Sequence, residues 1–383
     1  MTSRSALDEG LRRVLLVYAV PRSGHAQMAA ALRQELELSG SFVVEEFHLL
    51  DWMPRLGRVL PISYSWVMRC MPTAWRYFHG NHRYGYLIKL VLSLARPFGF
   101  FGLLQRIRAF RPDVIVATHF FQAQVLGEAR RLHLIDIPVW VLPTDYGAHV
   151  FWAHPEIERY VVACAEVKLD LEQAGIRAQR ISVTGLPIKQ EILHLPTKLE
   201  VYERNVELDP HRQHILILGG SYGLFPFQEL LREIMRLSDA EHIQWLMVFG
   251  GNAEARAWAV KSIRRQSNIL LFGFQPLTPF LSVCDLAIAK PGGSFTSEAL
   301  AAGLPLIIHR PLPGQEERNA QFLFSQRAAI YASTPRDAVQ EAVALLRHGR
   351  RYRELQESVR RIARPSAGQE IVTLLKQHYA TSI

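Results

Sequence analysis

The chain has 383 residues, 49% of them apolar and 21% charged, a globular balance that excludes disordered and collagen-like chains and points to two domains at roughly 100 to 200 residues each. Lys and Arg number 44 against 35 Asp and Glu, a net charge of +9, and the three cysteines, Cys70, Cys164 and Cys284, are too few and too scattered for a disulfide framework or a cysteine-rich zinc site. A reducing cytoplasm is the default, and no stretch reaches the ~18 to 20 uninterrupted apolar residues that span a bilayer.

The first predicted element is a strand, Val14 to Ala19. Arg12 and Arg13 before it imitate a secretory signal, but the apolar run is short and Pro21-Arg22-Ser23-Gly24-His25 is a poor cleavage site. A helix follows over His25 to Leu38, with Met28, Ala31, Leu32 and Leu36 near one face and Gly40 beyond its end. Phe42 to Phe47 is the second strand.

From Trp52 through Pro112 there is no Asp or Glu, while Arg55, Arg58, Arg69, Arg76, Arg83, Lys89, Arg96, Arg106, Arg108 and Arg111 fall inside the window. Subtracting that +10 from the total of +9 leaves −1 for the rest of the chain, so the whole basicity sits in one segment. The segment also holds twelve aromatics, Trp66 and Trp75 among them. Basic side chains among bulky apolar ones suit an anionic bilayer surface, where each Lys or Arg is worth ~1 kcal/mol and aromatic rings settle at the interface. An RNA-binding surface would be basic and aromatic too, but no RNP or KH motif occurs, and no nucleic-acid partner is expected. The plainer reading is a helical insertion with aromatics in its core and solvated arginines. Membrane contact is favoured, with Trp66, Trp75 and Arg76 as candidate contacts.

Further strands are predicted over Val114 to Thr118, Pro138 to Leu142, Tyr160 to Ala163 and Ile181 to Thr184, with helices between them. From Leu186 to Gln213 the pattern lapses into a polar stretch punctuated by Pro187, Pro196 and Pro210, the expected linker. Alternation restarts with His214 to Leu218, Trp245 to Phe249, Ile269 to Phe272, Leu286 to Ala289, Leu306 to His309 and Ala329 to Tyr331, and helices close the chain. This is the pattern of an α/β protein with parallel sheets covered by helices. The expected architecture is two Rossmann-like domains facing across a cleft: residues 1–186, a linker 187–212, and residues 213–383 including the terminal helices. No short-period repeat is present.

Open parallel sheets bind ligands at the carboxyl ends of their strands, so the residues just after each strand are the informative ones. After the His214 to Leu218 strand comes Gly219-Gly220-Ser221-Tyr222-Gly223, whose glycines let backbone N–H groups approach a phosphate at a helix start, although a tight turn would use the same residues. After Leu286 to Ala289 comes Lys290-Pro291-Gly292-Gly293-Ser294-Phe295-Thr296-Ser297-Glu298, in which Glu298 can accept hydrogen bonds from a ribose diol or serve as a capping-type carboxylate. The third cluster is Pro311-Leu312-Pro313-Gly314-Gln315-Glu316-Glu317-Arg318-Asn319. Its Gln315, Glu316 and Asn319 share one side of a helix start and offer donors and acceptors to a polyhydroxylated ligand, as a solvated helix start also would.

Together these clusters, with Ser23-Gly24-His25, Arg111-Pro112-Asp113, Pro143-Thr144-Asp145-Tyr146 followed by His149, Trp152 and His154, and Val183-Thr184-Gly185-Leu186-Pro187-Ile188, resemble the GT-B glycosyltransferases of the monogalactosyldiacylglycerol synthase and processive diacylglycerol glucosyltransferase family. The resemblance spans roughly residues 12 to 330. It implies a UDP-glucose or UDP-galactose donor held by the C-terminal domain and a diacylglycerol acceptor approaching the N-terminal one, at the cytoplasmic face of a membrane to which the protein binds peripherally. By the same resemblance Ser221 to Gly223 contact phosphate, backbone near Phe274 reads the uracil edge, Glu298 binds ribose, and Gln315 with Glu316 bind sugar hydroxyls. His25 is the implied base, with Asp145 as orienting partner or alternative base and His149 and His154 as further options; Gly24 and Trp152 complete the acceptor-side candidates. The first loop departs from the family in carrying Pro21 and Arg22 where relatives are richer in glycine.

An imidazole at a helix start is biased toward its neutral, proton-accepting form. No Asp-x-Asp motif occurs, so the expected reaction uses no metal or other cofactor, with backbone amides, helix ends and Lys290 carrying the leaving-group charge, and direct displacement giving a β-glycoside. Three rivals remain open at this stage: a UDP-N-acetylglucosamine transferase acting on a polyprenyl-linked acceptor, a UDP-sugar epimerase, and a non-catalytic membrane-binding protein.

Overall fold

The computed structural model describes residues 11–18, 23–48, 96–221, 223–238, 241–263 and 268–380. The candidates Trp66, Trp75, Arg76 and Tyr222 lie outside the described residues, as does most of the acid-free segment.

The chain forms two compact units. The first, residues 1–190 with 313–315 and 365–383, contains β1 (Arg12–Tyr18), α1 (Gly24–Leu38), β2 (Phe42–His48), α2 (Arg96–Phe110), β3 (Val114–Ala117), α3 (Phe120–Arg131), β4 (Val139–Val141), β5 (Arg159–Val162), α4 (Ala165–Gln173) and β6 (Ile181–Val183). Its sheet has the order β2-β1-β3-β4-β5-β6 with every pair parallel. Val14 to Val17 and all of β3 and β4 are buried. Helices cover both faces of such a sheet, which is why these strands read as unbroken apolar runs without polar alternation.

The second unit, residues 191–312 and 316–364, follows the short α5 (Gln190–Leu193) with α6 (Lys198–Arg204), β7 (Gln213–Leu218), α7 (Phe227–Met235), β8 (Ile243–Val248), α8 (Ala253–Ser262), β9 (Ile269–Phe272), α9 (Thr278–Val283), β10 (Leu286–Ala289), α10 (Gly293–Ala301), β11 (Leu306–His309), α11 (Gln315–Ser325), β12 (Ala329–Ala332), α12 (Pro335–Arg347) and α13 (Gly349–Ile362). The parallel sheet runs β12-β11-β10-β7-β8-β9. Ile215, Ile217, Trp245 and Met247 meet Leu230, Leu231 and Ile234 of α7 and Val339 of α12 in one core cluster.

All twelve strands predicted from sequence are present, each within two residues of its expected ends. The linker and domain ends differ. Residues 187–212 carry α5 and α6, and α6 is a fixed element: Thr197 and Glu200 form a capping box at its start, Val201 is buried, and Lys198 Nζ lies 3.1 Å from Asp285 Oδ1. The last helix, α14 (Ala367–Ala380), belongs with the first unit rather than with residues 213–364. Gly368 of α14 sits against Glu35 of α1 so closely that a Cβ there would stand 2.5 Å from its Cγ, and Gln190 Nε2 donates to Glu35 Oε1 at 2.6 Å.

Of the acid-free segment, α2 is the described part. Leu103, Ile107 and Phe110 are buried, so that portion serves the core of the first unit. Among the described residues no helix is long and apolar enough to cross a membrane.

Candidate active site

In each sheet the chain reverses direction of winding once, at β1/β3 in the first unit and β7/β10 in the second, and a doubly wound sheet opens a crevice there at the carboxyl ends of its strands. Register then decides which loops meet. Val17 pairs with Ala117 and Ala117 with Val141, so the segments leaving β1, β3 and β4 emerge side by side.

Those three segments deliver His25, Thr118 and Thr144. Ser23 caps α1 by accepting from Ala26 N–H, which sets His25 in the first turn. His25 Nδ1 lies 2.7 Å from the Thr118 carbonyl oxygen and 2.8 Å from Thr144 Oγ1, and Thr118 Oγ1 donates back to the His25 carbonyl at 3.2 Å. A carbonyl only accepts, so Nδ1 carries the ring proton and Nε2 keeps its lone pair. Burial lowers the His25 pKa to about 4, with the Thr118 contact opposing the shift, although part of the residue still reaches the surface. The ring is neutral at physiological pH and is oriented with one basic nitrogen uncommitted to these partners.

Around it stands a set of rings. His119 meets His25 edge to face at 4.6 Å between centroids, stacks on Phe120 at 4.4 Å, and accepts from Phe121 N–H through Nδ1 as the cap of α3. Burial, then its histidine neighbours, hold His119 well below the ordinary imidazole pKa. His149 is buried against Phe120, Phe151 and Trp152.

Several sequence candidates change role. Trp152 is fully buried, so it forms a wall behind these rings and meets no lipid surface. His154 Nδ1 accepts from Glu156 N–H, and its ring fills the space over Gly127, where a Cβ would stand 2.3 Å from Nδ1; it locks the 150s turn onto α3. Gly24 opens α1, and Asp145 is buried beside Thr144. The groups seen at His25 Nδ1 are Thr118 O and Thr144 Oγ1. Thr144 belongs to a motif that the sequence displays, but Thr118 and His119 do not stand out; their one signal is position directly after β3.

In the second unit Leu218 pairs with Ala289 and Ala289 with Ile308, so the loops after β7, β10 and β11 are neighbours. Gly220 and Gly223 have φ of +72° and +61°, conformations that glycine adopts without strain. Gly223 N–H is committed to Gly220 O at 3.0 Å, whereas among the described residues the amides of Gly220 and Ser221 have no acceptor. Among the described residues of this loop the amides without an acceptor are at 220 and 221, and Gly223 provides the turn. Gly219 lies under the Phe227 ring, 2.6 Å from where a Cβ would be.

Gly292 caps α10 at an ordinary φ of −65°, and a Cβ there would meet nothing within 4 Å. Gly293 starts the helix, Ser294 Oγ reaches Glu298 Oε1 at 3.4 Å, and Glu298 is buried. Thr296 is fully buried, and among the described residues its hydroxyl has no hydrogen-bond partner. Lys290 Nζ lies 3.3 Å from Glu316 Oε1, both side chains largely buried, and Glu316 Oε2 accepts from Leu312 N–H at 2.7 Å. Asn319 is fully buried and donates to Pro291 O at 2.9 Å. The structure thus makes Asn319 a strut under the 290–292 loop instead of a ligand-facing group, while Lys290 and Glu316 tie the loops after β10 and β11 together. Gln315 opens α11, and Phe274 is 65% exposed after β9. Among the described residues no cluster of His, Cys, Asp and Glu is grouped as a metal site would be.

Residues 25–188 match the family model described as monogalactosyldiacylglycerol (MGDG) synthase. The chain is 27% identical over 366 residues to a processive diacylglycerol beta-glucosyltransferase of Bacillus licheniformis, covering 94% of both proteins. To the Bacillus cytotoxicus protein of the same name it is 27% identical over 375 residues, covering 96% of this chain and 94% of that one. Among solved structures, MurG of Acinetobacter baumannii superposes with a TM-score of 0.61 at 17% identity, over 95% of this chain and 99% of that one. A UDP-GlcNAc 2-epimerase from Neisseria meningitidis bound to UDP-GlcNAc gives 0.62 at 16% identity, over 95% of this chain and 100% of that one. The structural likenesses carry the fold: two Rossmann-like domains of the GT-B type.

Proposed function

We propose that this chain is a member of the GT-B family of monogalactosyldiacylglycerol synthases and processive diacylglycerol glucosyltransferases, to which it is similar in sequence, and that it is a glycolipid synthase that moves a hexose from UDP-glucose or UDP-galactose to the free hydroxyl of diacylglycerol. The observation that carries the chemistry is the paired arrangement at His25: Nδ1–H tied to Thr118 O and Thr144 Oγ1, Nε2 left as a lone pair. A glyceride hydroxyl has a pKa far above neutrality, so its attack needs a positioned base.

In the proposed reaction Nε2 takes the hydroxyl proton as the glycerol oxygen forms its bond to the anomeric carbon. The bond from that carbon to the β-phosphate oxygen breaks, and UDP leaves with the electron pair. Attack opposite the leaving group inverts the α-linked donor and yields a β-glycoside. The proton on the imidazolium then passes to solvent. Burial that keeps the free imidazole neutral also raises the cost of the cation, which favours prompt loss of its proton.

On the donor side, the Gly220 and Ser221 amides and the starts of α7 and α10 would face the diphosphate, with Lys290 as a largely buried cation after β10. Glu298 would take the ribose diol, backbone near Phe274 the uracil edge, and Gln315 with Glu316 the hexose hydroxyls. We propose that no metal ion takes part, since these groups supply the positive potential. Purified protein with EDTA should keep its turnover. The acid-free segment is proposed to hold the protein at an anionic bilayer surface on the cytoplasmic side; binding to anionic vesicles should fall with salt, because exposed charges are screened over ~8 to 10 Å at 0.1 to 0.15 M ionic strength.

The deciding experiment is incubation with diacylglycerol vesicles and, separately, UDP-glucose, UDP-galactose and UDP-N-acetylglucosamine, with mass spectrometry of the lipid fraction. A β-hexosyldiacylglycerol from one of the first two supports the proposal. Release of the 2-epimer of an N-acetylated sugar, or transfer only to a polyprenyl acceptor, would replace it with the corresponding rival.

A further inference from the structure

The loop after β7 is held only in part by its own hydrogen bonds. It is interlocked with a second glycine-containing turn, Phe249-Gly250-Gly251-Asn252, which leaves the neighbouring strand β8. Gly251 N–H donates to Ser221 O at 3.0 Å, and Asn252 Nδ2–H donates to Gly223 O at 2.9 Å. Gly220 O accepts from Gly223 N–H at 3.0 Å. The carbonyls of residues 220, 221 and 223 are thereby all hydrogen-bonded within the protein, that of 223 also by Phe225 N–H at 3.0 Å, while the Gly220 and Ser221 amides are left without acceptors among the described residues. A carbonyl turned toward an anion would repel it, so fixing the carbonyls is what makes the amides usable.

The fit between the two turns is tight enough to require its glycines. A Cβ on Gly250 (φ +57°) would stand 2.4 Å from Gly220 O, and one on Gly223 would stand 2.2 Å from Phe249 O. Asn252 uses both ends of its amide: Nδ2 reaches Gly223 O while Oδ1 accepts from Ala255 N–H at 3.0 Å, capping α8. The β7 turn is therefore tethered to the rigid start of a helix that itself makes none of the proposed donor contacts.

We infer that Asn252, with Gly250 and Gly251, is a positioning element for a diphosphate, holding the loop after β7 with its amides toward the anion and its carbonyls away. This rests on the proposed donor site and extends it to a turn with no assigned role. Pre-organisation of this kind lowers the ordering cost of binding only for the part of the ligand the loop touches. The expected signature is thus selective: affinity for UDP falls, while affinity for uridine, which lacks the phosphates, does not.

The test is calorimetric titration of the full chain with UDP and with uridine, in wild type, Asn252→Ser and Gly250→Ala. Serine caps helices about as well as asparagine, so Asn252→Ser keeps α8 capped, adds no charge and removes only the reach to Gly223 O. Loss of one such hydrogen bond should weaken UDP binding roughly three- to tenfold, with uridine affinity and Tm unchanged. Gly250→Ala, which must push the Gly220 carbonyl aside, should show the same selectivity with a larger loss. An unaltered ratio of UDP to uridine affinity in both variants overturns the inference while leaving the donor site standing. Wild-type protein that binds no UDP overturns the donor site and the inference with it.

Discussion

The two units carry different chemistry at the same topological position. At β1/β3 the crevice is lined by rings: His25, His119, Phe120, His149 and Trp152, with burial driving His25 and His119 toward the neutral state. At β7/β10 it is lined by backbone and by small or charged groups, with Gly220 and Ser221 amides, the Lys290–Glu316 pair and the buried Glu298. Low polarity suits a base that must stay uncharged until it acts, whereas fixed dipoles and paired charges suit an anionic ligand. The same sheet winding therefore says nothing about chemistry; what the adjacent loops carry does.

If that division of labour is right, substitutions in one unit should leave the other's measurable untouched. The largest effect is expected from His25→Ala, which should lower kcat by roughly 10² to 10⁴-fold while UDP affinity, read by calorimetry, stays within error of wild type. Equal losses in both would dissolve the distinction between the units. Next is Glu298→Ala. A charge-assisted hydrogen bond to a ribose hydroxyl is worth ~1.5 to 3 kcal/mol, so donor KM should rise roughly ten- to a hundredfold with a much smaller change in kcat. A kcat loss with unchanged KM would move Glu298 from binding to chemistry.

The sequence reveals the strands well, for a physical reason. Strands buried on both faces, such as β3 and β10, must be unbroken apolar runs, and in the second unit the loops after β7 and β10 are punctuated by glycine. What it hides is whatever depends on register. Thr118 and Thr144 are 93 and 119 residues from His25 and meet it only because β1, β3 and β4 lie side by side; no local pattern encodes that. Asn252 is concealed likewise, since an asparagine before a helix looks like any cap until Gly223 O is found beside it. Asn319 erred the other way: its polarity suggests a ligand contact, but its amide is spent inside the protein on Pro291 O. Helix α14 gives no sign in its periodicity of which unit it joins; its contact with Glu35 decides that.

The smallest expected effect is the sharpest probe of how His25 is held. Protonation of Nε2 abolishes the base, and the folded ring titrates at about 4 instead of 6.5, so kcat/KM should stay level as pH falls from 7 to about 5 and decline only near pH 4. The same depression means the unfolded chain binds the extra proton first, so the stability linked to this ring is complete above about 6.5 and is lost as pH falls through 4. Thr144→Val keeps the side-chain shape but removes the oxygen 2.8 Å from Nδ1. Because Thr118 O still holds the Nδ1 proton, most rings keep the productive tautomer, and kcat should fall only about two- to fivefold. The hydroxyl also favours the cation slightly, so its loss should leave the acid limb where it is or move it to lower pH. An acid limb displaced upward toward 6.5 would mean that the Thr144 hydroxyl donates to Nδ1 and so opposes protonation, which would overturn the tautomer assigned to the ring and leave its neutral state dependent on one hydroxyl more than on the surrounding rings.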